Sequence, residues 1–476
     1  MSYKVVIPSA GLGSRIGPYT KFLNKALVTI GDKPAISRVI DKFPKNIEII
    51  ILLGYKGEMI KEIIDQLYSD RNITYVFVEN YDGEGSGLGH TLEQAESYLQ
   101  CPFIFIPNDT LIGDDEICLN PDTEGNWAAY YQKIAGDSYN PETFRTLELS
   151  SDNTAITRIT GKGTLNNNIY IGLCGVKDYK NFWNSMKATK DKTIGEVAGL
   201  RALEDINPIR IMDWYDCGSL KNLAIAKEKF KNPSHNILEK EDESIWFTDL
   251  EVLKFSINKK FISDRVKRVK YLPEDLTPEL ISHGDYSYRY KKVSGNVIAR
   301  NLDDSMLSDL LDICFDKMWS KTSKISEDEI EQCNYFYKHK TYERLDHYCE
   351  RFEQVDIEKK INGRDVSSVK DMLNQVNWDE LCINAHWSLF HGDFHGENIL
   401  YDEENGFSLL DWRQCFGKNS MQHGDAYYDF AKLRHGFLVN HGIVDEGGFE
   451  VKEHSMNNVF ISINQYSNLI DCEKFF

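Results

Sequence analysis

The residues best suited to chemistry lie late in the chain, in His391-Gly392-Asp393-Phe394-His395-Gly396-Glu397-Asn398-Ile399-Leu400, followed by the apolar run Phe407 to Leu410 and then Asp411-Trp412. Phosphoryl transfer from ATP needs a carboxylate to take the acceptor hydroxyl's proton. It also needs an amide oxygen and a second carboxylate to hold Mg²⁺ against the phosphates. Asp393, Asn398 and Asp411 supply those groups in that order. Asp393 and Asn398 are close enough for a loop folding back to aim both at one cavity, and the strand Ser408 to Leu410 delivers Asp411 beside them. The alternative is an ordinary polar turn, since Asp, Asn and Gly populate loops in any case. Two His and two Gly with an Asp, a Glu and an Asn between apolar flanks would make an odd solvated turn.

This spaced set resembles the aminoglycoside phosphotransferase and choline kinase family, whose pattern is H-x-D-x-x-x-x-N followed by an Asp at the end of a strand. The resemblance implies Asp393 as catalytic base and Asn398 and Asp411 as metal ligands. It also implies that Lys254, in the strand-like Val252-Leu253-Lys254-Phe255, holds the ATP phosphates; a solubilising strand-edge lysine is the alternative. No Gly-rich loop precedes Lys254, and the next helix offers Asp264 rather than a Glu as its ion-pair partner. His283 to Lys292 resembles the strand leading to the adenine hinge. Gly424 to Leu433 resembles the helix after the metal carboxylate, with Asp429 supporting the catalytic loop. Trp319, Tyr335, Tyr337, Trp387 and Trp412 can cage a quaternary ammonium such as choline, although aromatics at this density more often form core.

These groups must be positioned by more than one domain, because 476 residues exceed what a single core organises. In the first half, Val5 to Ile7, Ile49 to Leu53, Tyr75 to Val78 and Phe103 to Ile106 are short Val- and Ile-rich runs separated by helical patterns. That rhythm predicts a mostly parallel, Rossmann-like α/β sheet with ligands at the strands' carboxyl ends. Asn232 to Asn236 and the charged Glu239 to Glu243 mark a linker. The expected organisation is residues 1–232, a linker at 233–244, and a kinase-like bilobal α+β domain over 245–476. Its small lobe covers about 245–300 and its helical lobe the rest, with the last helices of that lobe expected to be missing.

The turn after the first strand, Ser9-Ala10-Gly11-Leu12-Gly13-Ser14-Arg15-Ile16-Gly17, lets backbone N–H groups approach a phosphate, but it matches neither the Rossmann nor the P-loop spacing. With Lys25 and Gly31-Asp32-Lys33-Pro34 it resembles the opening of the nucleotidyltransferases that act on sugar phosphates and alkyl phosphates, with Asn24-Lys25 where the family writes Pro-Lys. Gly83 to Thr91, Asn108-Asp109, Thr160-Gly161-Lys162, Glu196 and Trp214-Tyr215-Asp216-Cys217-Gly218 continue the pattern to about residue 230. The resemblance implies nucleotide contacts from Ala10, Gly11, Gly13, Gly87 and His90, and Mg²⁺ between Asp109 and Asp216. Arg15 and Lys25 would then cover the departing pyrophosphate and Lys162 the attacking phosphate. A lone Asp at such positions is otherwise a helix cap or turn residue.

Composition bounds the partners. A net charge of −19 argues against nucleic acid, while nucleotides need only local cations. No run of about 18 apolar residues predicts a membrane span, and the N-terminus runs directly into a strand. Ten cysteines without C-x-x-C pairs suggest reduced thiols and a cytoplasmic protein. The expectation is a bifunctional enzyme using Mg²⁺, ATP and a second NTP, with CTP preferred over UTP or GTP, on a small-molecule phosphate acceptor; a homo-oligomer is compatible with it. The alternatives are a nucleotidyltransferase with an inactive kinase-like domain, a nucleotide-sugar-binding regulator, and an antibiotic-resistance kinase with a passenger domain.

Overall fold

A computed structural model describes residues 3–113, 120–232, 240–320, 325–455 and 457–476. The expected linker residues 233–239 lie outside them. The chain forms two compact units, residues 1–258 with 284–289, and residues 259–283 with 290–476.

The first unit is built on β1 (Lys4–Ser9), β2 (Glu48–Leu53), β3 (Ile73–Phe77), β4 (Phe103–Phe105), β5 (Thr110–Ile112), β6 (Trp127–Gln132), β7 (Asn168–Val176), β8 (Asn207–Ile211) and β9 (Trp214–Asp216). Seven of these form one sheet in the order β8-β6-β7-β4-β1-β2-β3. β1 pairs in parallel with β2 and β4, β2 with β3, and β8 with β6, while β7 runs antiparallel to both its neighbours. The sheet is buried on both faces, as parallel sheets require. Val5, Ile7, Ile49, Ile51 and Leu53 enter one core, and Val6, Ile50 and Leu52 enter the other. In α1 (Gly57–Leu67), Ile60, Ile63 and Ile64 recur at helical spacing and are the buried face.

A hairpin of β10 (Glu243–Phe247) and β11 (Glu251–Ser256) belongs to the same unit. Trp246, Leu253 and Phe255 join the core that holds β1, and the Trp246 indole donates to Thr29 Oγ1 at 2.9 Å. The Glu62 carboxylate on α1 accepts from the amides of Asp285 and Tyr286, each at 2.9 Å, and from the Ser287 hydroxyl at 2.6 Å.

The second unit is largely helical. It includes α2 (Lys259–Val269), α3 (Asp304–Lys317), α4 (Glu327–Asn334), a π-helical turn at Tyr335–His339, α5 (Lys340–Arg351) and α6 (Ala426–Leu438). Short ladders join β12 (Trp387–Leu389) to β15 (His423–Asp425), and β13 (Ile399–Asp402) to β14 (Gly406–Leu409). Leu307, Leu310, Trp319, Phe394, Leu409 and Leu433 share its main core. No helix among the described residues is long and apolar enough to cross a membrane.

Candidate active sites

In the first unit a short ladder brings two carboxylates together. Thr110 of β5 pairs with Asp216 of β9, and the Cys217 amide donates to the Asp109 carbonyl at 2.9 Å. Facing them, the chain leaves β1 through Gly13, at a left-handed φ of 67°, into the single turn Ser14–Ile16 that carries Arg15. Asn24 caps the next turn. Its side chain accepts from the Ala26 amide at 2.8 Å and donates to the Ser9 and Tyr55 carbonyls at 3.1 and 2.6 Å. Where the resembling family writes Pro, hydrogen bonds thus stiffen the loop, and Lys25 is delivered onto Asp109 as an ion pair.

Arg15, Asp109, Lys162 and Asp216 line a cavity of about 580 Å³ together with Arg145 and Glu196. Burial acts to raise the Asp109 carboxyl, but Lys25 and then Arg15 outweigh it and hold it below the usual carboxylate range. Asp216 is pushed up, by burial and then by the Asp109 charge, while Asn222 donates to it at 2.6 Å. Two facing carboxylates suit Mg²⁺, which commonly takes one or two protein carboxylates and completes its shell with water and substrate phosphates. The donor set therefore fits the metal. Among the described residues no group of three or more His, Cys, Asp or Glu is placed to hold one without such help.

The remaining expected residues differ in placement. Lys162 is exposed where it meets the cavity. Ala10 is buried, its carbonyl accepting from the Tyr55 amide at 2.9 Å, and Gly11 is exposed. Gly87, at φ 148°, is pressed against the Lys192 carbonyl, where a Cβ would come within 2.9 Å, so its need for glycine is met by packing. His90 Nε2 meets the Glu79 carbonyl at 3.0 Å. Ala10, Gly11, Gly13, Gly87 and His90 are not in the lining of the 580 Å³ cavity.

In the second unit the catalytic-type loop is fixed by two buried side chains. Asp429 of α6 accepts from the His391 and Gly392 amides at 2.7 and 2.6 Å and from the Trp319 indole at 3.2 Å. Burial pushes its carboxyl up to about 6, and those donors oppose the rise. Arg268 of α2 donates to the carbonyls of Phe390, His391, Arg413 and Met421 and stacks on the Phe390 ring at 4.0 Å. Gly392 sits at φ 89°, where a Cβ would lie 2.5 Å from that of Arg413.

The loop then presents Asp393 to Lys432 at 2.8 Å and to His395 at 3.6 Å. Burial would raise the Asp393 carboxyl, but the nearby His395 and the Lys432 ammonium hold it well below its ordinary range. Burial likewise opposes His395, yet Asp393 and Glu397 bring it up to about 9. Asn398 donates its side-chain amide to the Asp393 backbone carbonyl at 3.0 Å and to Oδ2 at 3.3 Å, and its backbone carbonyl accepts from the Leu410 amide at 2.7 Å, one residue before Asp411. Asp411 takes a left-handed φ of 58° and is ion-paired with Arg265 of α2. An amide oxygen and a carboxylate on adjoining segments fit a divalent cation, with Arg265 as the cation now on Asp411.

Several of these partners carry no motif. Arg265, Arg268 and Lys432 lie outside the spaced set, and only the basic i, i+3 pair on α2 hints at a buried role. Asp264, the expected partner of Lys254, pairs with Lys260 of its own helix. Lys254 lies half-buried on β11 in the first unit. The aromatic cage is not formed. Trp319, Trp387 and Trp412 are 1%, 3% and 1% exposed, and Tyr337 donates to buried Asp425 at 2.7 Å, so these rings fill core space.

Residues 340–448 match the phosphotransferase enzyme family, APH. The chain is 30% identical over 155 residues to the bifunctional protein GlmU of Methanococcus vannielii, 32% of this chain and 33% of that protein. It is 27% identical over 158 residues to a UTP–glucose-1-phosphate uridylyltransferase of Haemophilus ducreyi, 28% of this chain and 51% of that one. The matches thus span about a third to a half of these curated relatives. The solved CTP:phosphocholine cytidylyltransferase of Streptococcus pneumoniae superposes with a TM-score of 0.39 at 18% identity, over 48% of this chain and all of that one. The chain therefore carries a phosphotransferase enzyme family domain at residues 340–448 and an N-terminal region homologous to nucleotidyltransferases.

Proposed function

We propose that the chain is a bifunctional enzyme. Its C-terminal unit phosphorylates a small alcohol, amino alcohol or sugar with ATP, and its N-terminal unit transfers a nucleoside monophosphate from a second NTP to that phosphate, releasing pyrophosphate. CTP is the preferred second nucleotide, and UTP, which the Haemophilus relative uses by name, is the first alternative, ahead of GTP. The product is an NDP-activated building block for surface polysaccharide or lipid. A cytoplasmic location, which supplies NTPs and reduced thiols together, belongs to the same proposal.

The observation that carries this proposal is that each unit holds its own metal-competent donor pair beside cations: Asp109 and Asp216 with Arg15 and Lys25, and Asn398 and Asp411 with Arg265. Mg²⁺ bound at each pair would offset the phosphate charge that otherwise keeps two anionic reactants apart. In the N-terminal unit the attacking phosphate oxygen is already ionised, so no general base is required. Arg15 and Lys25 neutralise the leaving pyrophosphate, and Lys162, from its exposed loop, meets the incoming phosphate monoester. In the C-terminal unit Asp393, kept ionised by His395 and Lys432, takes the proton of the acceptor hydroxyl.

The test is a paired assay with Mg²⁺, ATP, each NTP and a panel of acceptors, following ADP and pyrophosphate separately. Pyrophosphate should appear only with ATP and a suitable acceptor, and in Asp393→Ala only when ready-made phosphorylated acceptor is added. Pyrophosphate from a ready-made sugar phosphate, with no ADP from any acceptor, would reject the kinase step.

A further inference from the structure

Beside the catalytic-type loop of the second unit lies a cavity of about 230 Å³ whose lining includes Tyr335, Lys340, Glu343, Arg413, Gln414 and Lys418. Two of its cations share one aromatic ring. Lys340 Nζ lies 5.1 Å and the Arg413 guanidinium 4.8 Å from the Phe336 centroid, with Arg413 also 5.9 Å from that of Tyr428. Lys418 is already ion-paired with Glu331 at 2.9 Å, whereas neither Lys340 nor Arg413 has an ion-pair partner among the described residues. Lys340 is pushed down to about 8, first by burial and then by Arg413 and Arg344, so like charges have been gathered at a cost.

The cavity adjoins the reactive loop. Arg413 follows Asp411 by two residues, its amide donates to the His391 carbonyl at 3.0 Å, and its side chain packs on Gly392. The π-helical turn at Tyr335–His339 places Tyr335, Phe336 and Lys340 against this segment, and such turns recur at functional sites. Among the described residues, two cations without ion-pair partners are held over a ring and Glu343 is the only carboxylate in the lining, which makes an anion site. A choline or aminoglycoside head would meet repulsion there.

We infer that the small molecule phosphorylated by the second unit is itself an anion, a hydroxy acid or sugar acid, whose carboxylate is bound by Lys340 and Arg413. This rests on the kinase proposal above. The group so held leaves a hydroxyl to be directed to Asp393, and the cavity's size favours a small metabolite over a drug-sized molecule.

Matched pairs test it: glycerate against glycerol, glucuronate against glucose, with choline and ethanolamine as cations. Binding by titration calorimetry to the full chain and to Lys340→Met and Arg413→Met separates the outcomes. The carboxylates should bind at least about ten-fold more tightly than their neutral partners, as expected for charge-assisted hydrogen bonds, and each variant should lose that advantage. ATP affinity should stay within about two-fold. Tighter binding of choline or ethanolamine, absence of carboxylate binding, or an equal loss of ATP affinity in the variants would overturn the inference; the last result would mark the cations as nucleotide contacts. Carboxylate binding that depends on Lys340 and Arg413, without ADP from any acceptor, would uphold the anion site while rejecting the kinase reaction.

Discussion

Arg268 offers the sharpest test of how the second site is held. Its side chain is fully buried and supplies donors to four backbone carbonyls, on the loop's start at Phe390 and His391 and on the segments at Arg413 and Met421. Hydrogen bonds to a charged group contribute about 1.5–3 kcal/mol each. They are not additive when they share one donor group, and water replaces some of them, so Arg268→Met should cost about 3–5 kcal/mol. Arg268→Lys should recover little, because a single ammonium cannot span four carbonyls arranged round a planar fork. Urea unfolding with hydrogen exchange at the His391 and Gly392 amides measures both effects. These amides, bound to Asp429, should lose protection in either variant. ADP formation should collapse while pyrophosphate release from ready-made substrate persists, since Arg268 lies in the second unit. A loss below about 1 kcal/mol with unchanged protection would show that packing, not this arginine, fixes the loop.

Asp109→Asn or Asp216→Asn should each lower pyrophosphate release by about 100-fold or more, measured as kcat at saturating Mg²⁺, and leave ADP formation unaltered. Lys432→Met removes a cation that depresses Asp393, so the acid limb of the ADP-forming pH profile should move to higher pH, with no shift of the alkaline limb. Glu196 is raised by burial from 4.5 to about 7, so the folded first unit holds its proton more tightly than the unfolded chain. Its contribution is therefore most favourable below pH 4.5 and weakens by up to about 3 kcal/mol as pH rises to 7. Glu196→Gln should flatten that slope in denaturant titrations between pH 5 and 7.5, roughly the range the shift spans.

Much of the arrangement of both candidate sites was legible because the residues concerned are close in sequence or tied to strand ends. Asp109 and Asp216 each follow or end a buried strand, so the β5 and β9 pairing joins them without any long loop having to be guessed. Asp393 and Asn398 share one turn. What escaped reading depends on pairing between distant segments. Arg265 reaches Asp411, and Arg268 reaches carbonyls more than a hundred residues away, and neither belongs to a spaced motif. The aromatics fitted either core or a cage, with core the commoner outcome, and only their burial decides for core. Asn24, a departure from the family pattern, proves to do the stiffening that a proline would.

The hairpin of β10 and β11 and the turn held by Glu62 bear on how the polypeptide emerges from the ribosome. Trp246 and Phe255 complete the core around β1, and residues 284–289 must return to α1 before the Glu62 carboxylate is satisfied. The first unit is therefore discontinuous along the chain, and it cannot close when residue 232 leaves the exit tunnel. Its last contacts can form only after residues 259–283, which belong to the other unit, have been made. A nascent chain stalled near residue 232 would leave an apolar face uncovered, where one stalled some tens of residues past 289 would not.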